Sequence, residues 1–350
     1  MTALHPSMSL AAAGLAVATL SAATGPALAQ PAADDFYKGR TLQLLIGFQA
    51  GTGYDTYART LARHIGRHLP GNPAVVPSNM TGAGGLVAAN HLYNVAPKDG
   101  SVIGIFNRST ILDPLFGAPE AKFDALKYAW IGSMGPEVSV CISWAASPFK
   151  RWQDLLEREF IAAATSFSAD TGVYPTVFNT VLGTRMKVIT GYRGGPEMSL
   201  AIEKGEAHGR CGWSWTAVKS TKPEWLSDKS IHVLMQAGLR KAPDLADVPL
   251  VLDIARTERD RMILTLAFAP QAIAWPFVAP PGLPEARKAM LRTAFDAALR
   301  DPELLAEAAR LKLDIDPMAG AQVEKIVADL YKTPADVVAL LRDIMRPVQK

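Results

Sequence analysis

Residues Thr41 to Arg63 constrain this chain's fold more than any other stretch, because three signals run together there. Thr41–Phe48 is an apolar run of strand length, and Gln49–Asp55 carries glycines at 51 and 53. Tyr57, Ala58, Leu61 and Ile65 then recur at helical spacing, with Asp55 placed to cap the helix. Strand, glycine loop and helix N-terminus in that order make either an anion site or a plain strand-to-helix turn. The N–H groups of loop and first turn lack partners, and the helix dipole favours negative charge. Ser78–Gly85 repeats the device before a second helical run, Leu86–Tyr93. Two such loops can hold a carboxylate without a basic side chain, and a buried carboxylate needs such donors because burying an unpaired charge is prohibitive. The candidate contacts are Gly51, Thr52, Gly53, Tyr54 and Asp55 from the first loop, and Thr81, Gly82, Ala83, Gly84 and Gly85 from the second. Asp55 reads as a cap rather than a direct contact, since like charges repel.

With 350 residues, 49% of them hydrophobic, the chain can build two domains with separate cores. Its 36 Lys and Arg are scattered among 33 acids, for a net charge of +3, with no basic run or stripe that would argue for nucleic acid. The segment 1–29 reads as a signal peptide: Leu10–Leu20 is an alanine-rich apolar core too short to span a bilayer comfortably, and Ala27-Leu-Ala29 before Gln30 has the small-x-small cleavage pattern. A basic n-region is missing, only His5 standing there. The mature chain is therefore expected to be exported, periplasmic and soluble. In an oxidising compartment Cys141 and Cys211, each in an apolar strand-like segment, either form one disulfide or remain two buried thiols.

Further along, strand and helix patterns alternate across two long stretches, which argues for an α/β protein with mostly parallel sheets. Strands are expected at 101–107, 126–133, 137–144, 160–165, 186–190, 207–213 and 231–236, with helices at 147–159, 173–182, 197–204 and 257–268. Residues 272–279 read as extended. Helices at 284–299, 302–311, 318–331 and 334–345 each start at or beside a proline. Arg108, Ser109 and Thr110 close a strand, where open α/β sheets place ligand contacts. Arg108 either pairs with a distal carboxylate or lies on the surface. Ser168, Asp170 and Thr171 precede a helix and offer hydroxyl and N–H donors, or simply cap it. Trp213, Ser214 and Trp215 end a strand, whose alternation would turn both tryptophans to one side, as a wall for an apolar ligand or as core.

Taken together these motifs resemble the periplasmic substrate-binding receptors of the tripartite tricarboxylate transporter family, the Bug receptors. Phe48, Gly51 and Asp55 match the family's Pro-Phe-x-x-Gly-Gly-x-x-Asp loop, with Gly47 in place of the proline and Thr52 in place of the second glycine. Asn79–Gly85 is similar to its Asn-x-x-Gly-Ala-Gly-Gly loop, and Ala96–Gly100 to its Ala-x-Pro-Asp-Gly turn. Tyr192–Pro196 resembles its Tyr-Lys-Gly turn, and Trp275–Pro280 its returning crossover. The resemblance covers nearly the whole mature chain. It implies a two-lobed, type II Venus-flytrap protein that captures a small organic carboxylate and delivers it to membrane permease subunits. The first part of lobe one would span 30–139, lobe two 140–273, and the return to lobe one with the C-terminal helices 274–350. Departures gather in lobe two, where Ser168–Gly172 replaces Gly-Ser-x-x-His and Arg210–Trp215 replaces a more polar strand end.

No enzyme motif accompanies these loops: there is no Gly-x-Ser-x-Gly elbow, no His-Glu-x-x-His and no P-loop lysine. His64 and His68 have metal-compatible spacing but no third ligand, and read as a solvated face. No cofactor, metal or nucleic acid is expected, and the receptor is expected to be a monomer that does not itself span the membrane. The competing readings are an exported enzyme on a similar scaffold, with Asp170 or Cys211 as its reactive group, and a ligand sensor for a membrane signalling partner.

Overall fold

The computed structural model describes Ala3 and residues 36–345 except Ser168 and Arg193. Apart from Ala3, the leader expected over 1–29 lies outside the described residues, as does the candidate Ser168. The chain runs β1 (Thr41–Ile46), α1 (Gly53–Ile65), β2 (Ala74–Asn79), α2 (Leu86–Asn94), β3 (Val102–Ile105) and β4 (Ala129–Ser133). It continues through β5 (Ser139–Trp144), α3 (Asp154–Glu157), β6 (Phe160–Ala163), α4 (Asp170–Leu182), β7 (Met186–Ile189), α5 (Gly195–Glu203), β8 (Gly209–Ser214), α6 (Trp215–Thr221), α7 (Pro223–Ser227) and β9 (Ile231–Ala237). The remainder comprises α8 (Val251–Ile254), α9 (Glu258–Phe268), β10 (Pro276–Ala279), α10 (Glu285–Ala298), α11 (Pro302–Arg310), β11 (Met318–Ala319), α12 (Gly320–Leu330) and α13 (Ala335–Met345).

Two sheets result, in the orders β11-β4-β10-β3-β1-β2 and β7-β6-β8-β5-β9. The first takes its strands from both ends of the described chain and the second only from the middle. The architecture is thus the expected two-lobed α/β fold. Its sheets are mixed: β1 pairs in parallel with β2 and β3, and β6 with β7 and β8, whereas β10 and β5 run antiparallel to both of their neighbours. These two are strands through which the chain crosses between the sheets.

Alternation on β1 buries Leu42, Leu44 and Ile46 against the apolar stripe of α1 formed by Tyr57, Ala58, Leu61 and Ile65. A second core runs from Phe106 and Trp130 on the first sheet through Phe268 to Tyr174 and Phe178 on α4, so one apolar mass links both lobes. Several elements differ from the sequence expectation. Only Asp154–Glu157 of the helix expected at 147–159 forms, because the Lys150 and Arg151 N–H groups both donate to the Asp154 carboxylate and hold the chain in a turn before it. Of the segment 272–279 expected to be extended, residues 272 and 273 close a 3-10 turn over Ala269–Ile273 and the strand forms only over Pro276–Ala279. His64 is buried, with Nε2 2.6 Å from Glu307 Oε2, and His68 Nε2 lies 2.8 Å from Asp301 Oδ2. The expected solvated face is instead an ion-paired seam against α11.

Cys141 and Cys211 are both buried, on the antiparallel neighbours β5 and β8, and are joined as a disulfide across 70 residues of sequence. Closing a loop of that length stabilises the folded chain by about 4 kcal/mol in the chain-entropy account. Reduction of the purified protein is expected to lower its unfolding free energy by that order, read as a lower denaturant midpoint, and Cys141→Ala/Cys211→Ala to abolish the response to reductant. Equal midpoints with and without reductant would show that the two thiols are not joined in solution.

Candidate functional site

Both sheets turn toward each other the ends from which the candidate loops leave. From the first sheet come the loops after β1, β2 and β3, together with 314–317 before β11. From the second come 164–167, 190–192 and the starts of α4, α5 and α6. The two glycine loops meet in the first lobe. Gly47 and Gly85 pack so closely that a Cβ on Gly47 would stand 3.1 Å from Gly85 Cα. Asn79 stitches the loops, its Nδ2 donating to Phe48 O at 2.8 Å and to Asp55 Oδ1 at 2.8 Å.

Asp55 does not cap α1. Thr52 is the cap, its Oγ1 accepting from Asp55 N at 3.4 Å, and Asp55 sits in the first helical turn. From there its carboxylate reaches back to accept from Gly51 N at 2.9 Å, and from Arg59 Nε and Asn79 Nδ2 at 2.8 Å each. Burial opposes the ionised form, but the hydrogen bonds from Asn79, Gly51 and Arg59 together hold the Asp55 carboxyl below its ordinary pKa. The N–H of Gly51 is thereby occupied, and that of Thr52 donates to Gln49 O. What the first loop still presents is the opening of α1 at Gly53 and Tyr54. The second loop is more open: Gly82, Ala83, Gly84 and Gly85 all have positive φ, and the first three, with Thr81, are exposed. Successive residues of this kind curl their N–H groups around a concavity suited to an anion.

Arg108 is the pivot of the site. Its side chain is 14% exposed, and its Nη2 lies 3.6 Å from Oδ2 of Asp170 on the opposite lobe. Its backbone N–H donates to the Tyr54 hydroxyl at 3.1 Å, and the Tyr54 ring stacks on Phe48 and meets Trp275 edge-on. Burial works against the guanidinium's charge, but Tyr54, Asp170, Tyr174 and Glu137 outweigh it and raise its pKa. Ser109 and Thr110 follow Arg108 in a 3-10 turn capped by Asn107, whose side chain accepts from Ser109 N at 2.8 Å. Thr110 is buried, and Thr171 Oγ1 accepts from Thr165 N at 3.2 Å.

Sequence reasoning missed Glu137, Gln271 and Asn79 as site residues. Glu137 is buried in the first crossing between the sheets and accepts from Ser214 Oγ at 2.5 Å. Burial pushes its carboxyl up, against the pull of Arg108 and the Ser214 hydroxyl. Gln271 bridges the crossings, donating from Nε2 to Ser139 Oγ at 3.1 Å and to the Tyr174 hydroxyl. The available signal was a lone carboxylate, Glu137, opening an apolar strand.

Trp213 and Trp215 are both buried in the lobe-two core, the second of the two readings, and do not alternate along one strand. Gly212, at φ +69°, places a bulge in β8 opposite the register shift in β5, and the strand ends at Ser214, which caps α6 by accepting from Ala217 N at 3.2 Å. Trp213 packs inside lobe two under Arg210 and against Trp225. Trp215, the first residue of α6, donates from Nε1 to Asp244 at 2.8 Å and borders a cavity of about 500 Å³ with Thr216, Lys219, Asp244, Asp314 and Asp316. The lobes also touch through Thr216 and Asp314, at 2.6 Å, and through Arg240 and Asp316. Among the described residues no cluster of three or more His, Cys, Asp or Glu side chains could hold a metal, and no helix is long and apolar enough to cross a membrane.

No family model and no curated relative matches this sequence. Its fold nevertheless has clear counterparts among solved structures. A TctC solute-binding protein from Polaromonas superposes with a TM-score of 0.68 at 16% identity, over 88% of this chain and 98% of that one. Rpa4515 of R. palustris with adipate gives 0.59 at 17% identity, over 87% and 97%. The periplasmic binding protein BugD gives 0.58 at 17% identity, over 88% and 98%. The chain therefore has the two-lobed fold of the tripartite tricarboxylate periplasmic binding proteins.

Proposed function

We propose that this protein is a Bug-type receptor, an exported and monomeric solute-binding protein. It captures a small organic carboxylate, a di- or tricarboxylate or an aromatic acid, and hands it to the permease subunits of a tripartite tricarboxylate-type transporter. The lobes join at the crossings 134–138 and 238–275, and the ligand enters between them. One observation carries the reading. Arg108 is a partly buried cation at a strand end beside the curled Gly82–Gly85 loop, and its nearest carboxylate across the cleft, Asp170, is 51% exposed and 3.6 Å away. A ligand carboxylate offers Arg108 a shorter, bidentate, charge-assisted pair, with the loop N–H groups as further donors. The likeness to a solute-binding fold solved with adipate supports a ligand of this size and charge. An enzymatic reading needs a reactive group, and Cys211 is tied to Cys141.

The test is thermal stability of the exported protein across a panel of malate, adipate, citrate, benzoate and phthalate, with native mass spectrometry of the freshly purified protein. A ligand that binds only the folded state at a hundred times its Kd adds roughly 2.7 kcal/mol, a readily measured rise in Tm. No shift with any acid and no co-purified acid would end the proposal.

A further inference from the structure

Arg210, in lobe two, has no role in the site described so far. It lies on β8 with 2% of its surface exposed, and among the described residues its side chain makes no ion pair and no hydrogen bond. Its Nε is buried without an acceptor. Among the described residues the only group compensating it is the Trp213 ring, which the guanidinium covers at 3.2 Å from the centroid. A desolvated cation facing an aromatic ring recovers part of its hydration energy, but not the hydrogen bonds of five N–H donors. Among the described residues no neighbouring carboxylate offsets the burial, which pushes the guanidinium down to about 9. An unpaired buried charge is among the costliest features a fold can retain.

The direction of the side chain suggests what it is kept for. A Cβ on Gly195 would stand 3.5 Å from Arg210 Nη1, so the guanidinium ends at the first residue of α5. That helix starts Gly194-Gly195-Pro196, so backbone rather than side chains faces Arg210, and the Gly195 N–H has no intrahelical partner. Tyr192 packs at the rim of the same cluster as Trp213. The loop leading into α5 leaves the end of β7, on the side of the sheet that faces the first lobe.

We propose that Arg210 and the N-terminus of α5 form a second oxyanion subsite, in lobe two, taking a carboxylate between the guanidinium fork and the Gly195 N–H. The choice of carboxylate over another oxyanion rests on the receptor reading above. The subsite itself rests only on the buried, unpartnered arginine and the helix it meets. Such an arrangement favours acids with two anionic groups, since Arg108 serves the other lobe.

The experiment compares the whole exported protein with Arg210→Met and Arg210→Lys. Each is titrated by thermal shift with adipate, phthalate and benzoate, and separately with sodium sulfate at constant ionic strength. Arg210→Met is expected to match or exceed the wild-type Tm without ligand, because it removes an unpaired buried charge, and to bind the best diacid roughly tenfold or more weakly. Arg210→Lys is expected to recover part of that affinity, and monoacid binding to change little in either variant. If sulfate alone stabilises the wild type, and only when Arg210 is present, the subsite stands and the carboxylate receptor falls. If Arg210→Met lowers the ligand-free Tm and Arg210→Lys restores it while affinities stay level, Arg210 is structural and the inference is overturned. It is overturned equally if no anion distinguishes the variants from wild type.

Discussion

Arg108→Met is expected to weaken carboxylate binding at least a hundredfold, roughly 2.8 kcal/mol, and to destabilise the ligand-free protein as well. Both effects come from Arg108 standing between Asp170 on the far lobe and the buried Glu137 at the crossing. Removing it takes from Glu137 the main cation that draws its pKa down, and a buried carboxylate left uncompensated costs about 3 kcal/mol or more. The double variant Arg108→Met/Glu137→Gln should therefore be more stable than Arg108→Met alone at neutral pH, though it binds no better. The pH dependence has a definite sign. The folded-state pKa of Glu137 is raised, so its contribution to stability is fully present below the ordinary glutamate value and is lost as pH rises through the folded one. Without Arg108 that window widens upward. The Tm of Arg108→Met should consequently recover toward wild type as pH falls from 7 to about 5. Glu137→Gln should remove that difference, and the comparison between variants cancels Asp113, whose carboxyl burial raises to about 6. Parallel Tm profiles for the single and double variants would show that Arg108 and Glu137 act independently.

What is legible in the sequence divides along the same physical line. The strand, loop and helix at Thr41–Arg63 are legible because each is set by local pattern. The C-terminal helices are legible because prolines fix their starts, as at Asp301-Pro302, where Asp301 caps α11 by accepting from Glu303 N at 2.9 Å. β2 gives no clear signal: it is the outermost strand of its sheet and carries Pro77, which only an edge strand tolerates. β11 is only two residues long. Trp215 reads as a strand end because nothing local announces the bulge at Gly212 or the cap at Ser214. The charged groups are the least legible. Whether Arg108, Glu137 and Arg210 are buried, and against what, depends on segments far away in the chain. An arginine after an apolar strand looks the same whether it ends in water or in the cleft. His64 and His68 show the same limit, since their partners Glu307 and Asp301 come from α11 and its cap.

Asp55→Ala is expected to remove about 2 to 3 kcal/mol of stability and, through it, the geometry of the first lobe's anion loops. The Asp55 residue is 3% exposed and its carboxylate takes three donors at once: Gly51 N, Asn79 Nδ2 and Arg59 Nε. Deleting it strands those donors, although Arg59, at 35% exposure, can turn to water and limit the loss. Asn79→Ala provides the comparison. It cuts the tie from the second loop to Phe48 O and to Asp55 but leaves the Asp55–Arg59 pair, so it should cost less, about 1 kcal/mol. If the two loops act as one clamp, both variants should lose roughly tenfold in carboxylate affinity despite their unequal stabilities, since each removes the Asn79–Asp55 tie between the loops. If affinity instead tracks stability, or neither variant changes it, the ligand is held by Arg108 and lobe two rather than by the loops. The pH response separates charge from shape. The pKa of Asp55 is depressed, so its contribution is present above the ordinary aspartate value and is lost as pH falls through the folded one. Wild type and Asp55→Ala should therefore begin to converge in Tm as pH falls below about 3.9, and converge fully only below the depressed folded value, whereas Asn79→Ala, which loses the strongest of the bonds lowering the Asp55 pKa but keeps those to Gly51 and Arg59, should retain part of that acid sensitivity. Convergence confined to Asp55→Ala would identify the carboxylate itself, rather than the packing around it, as what holds the first glycine loop in its anion-receiving form.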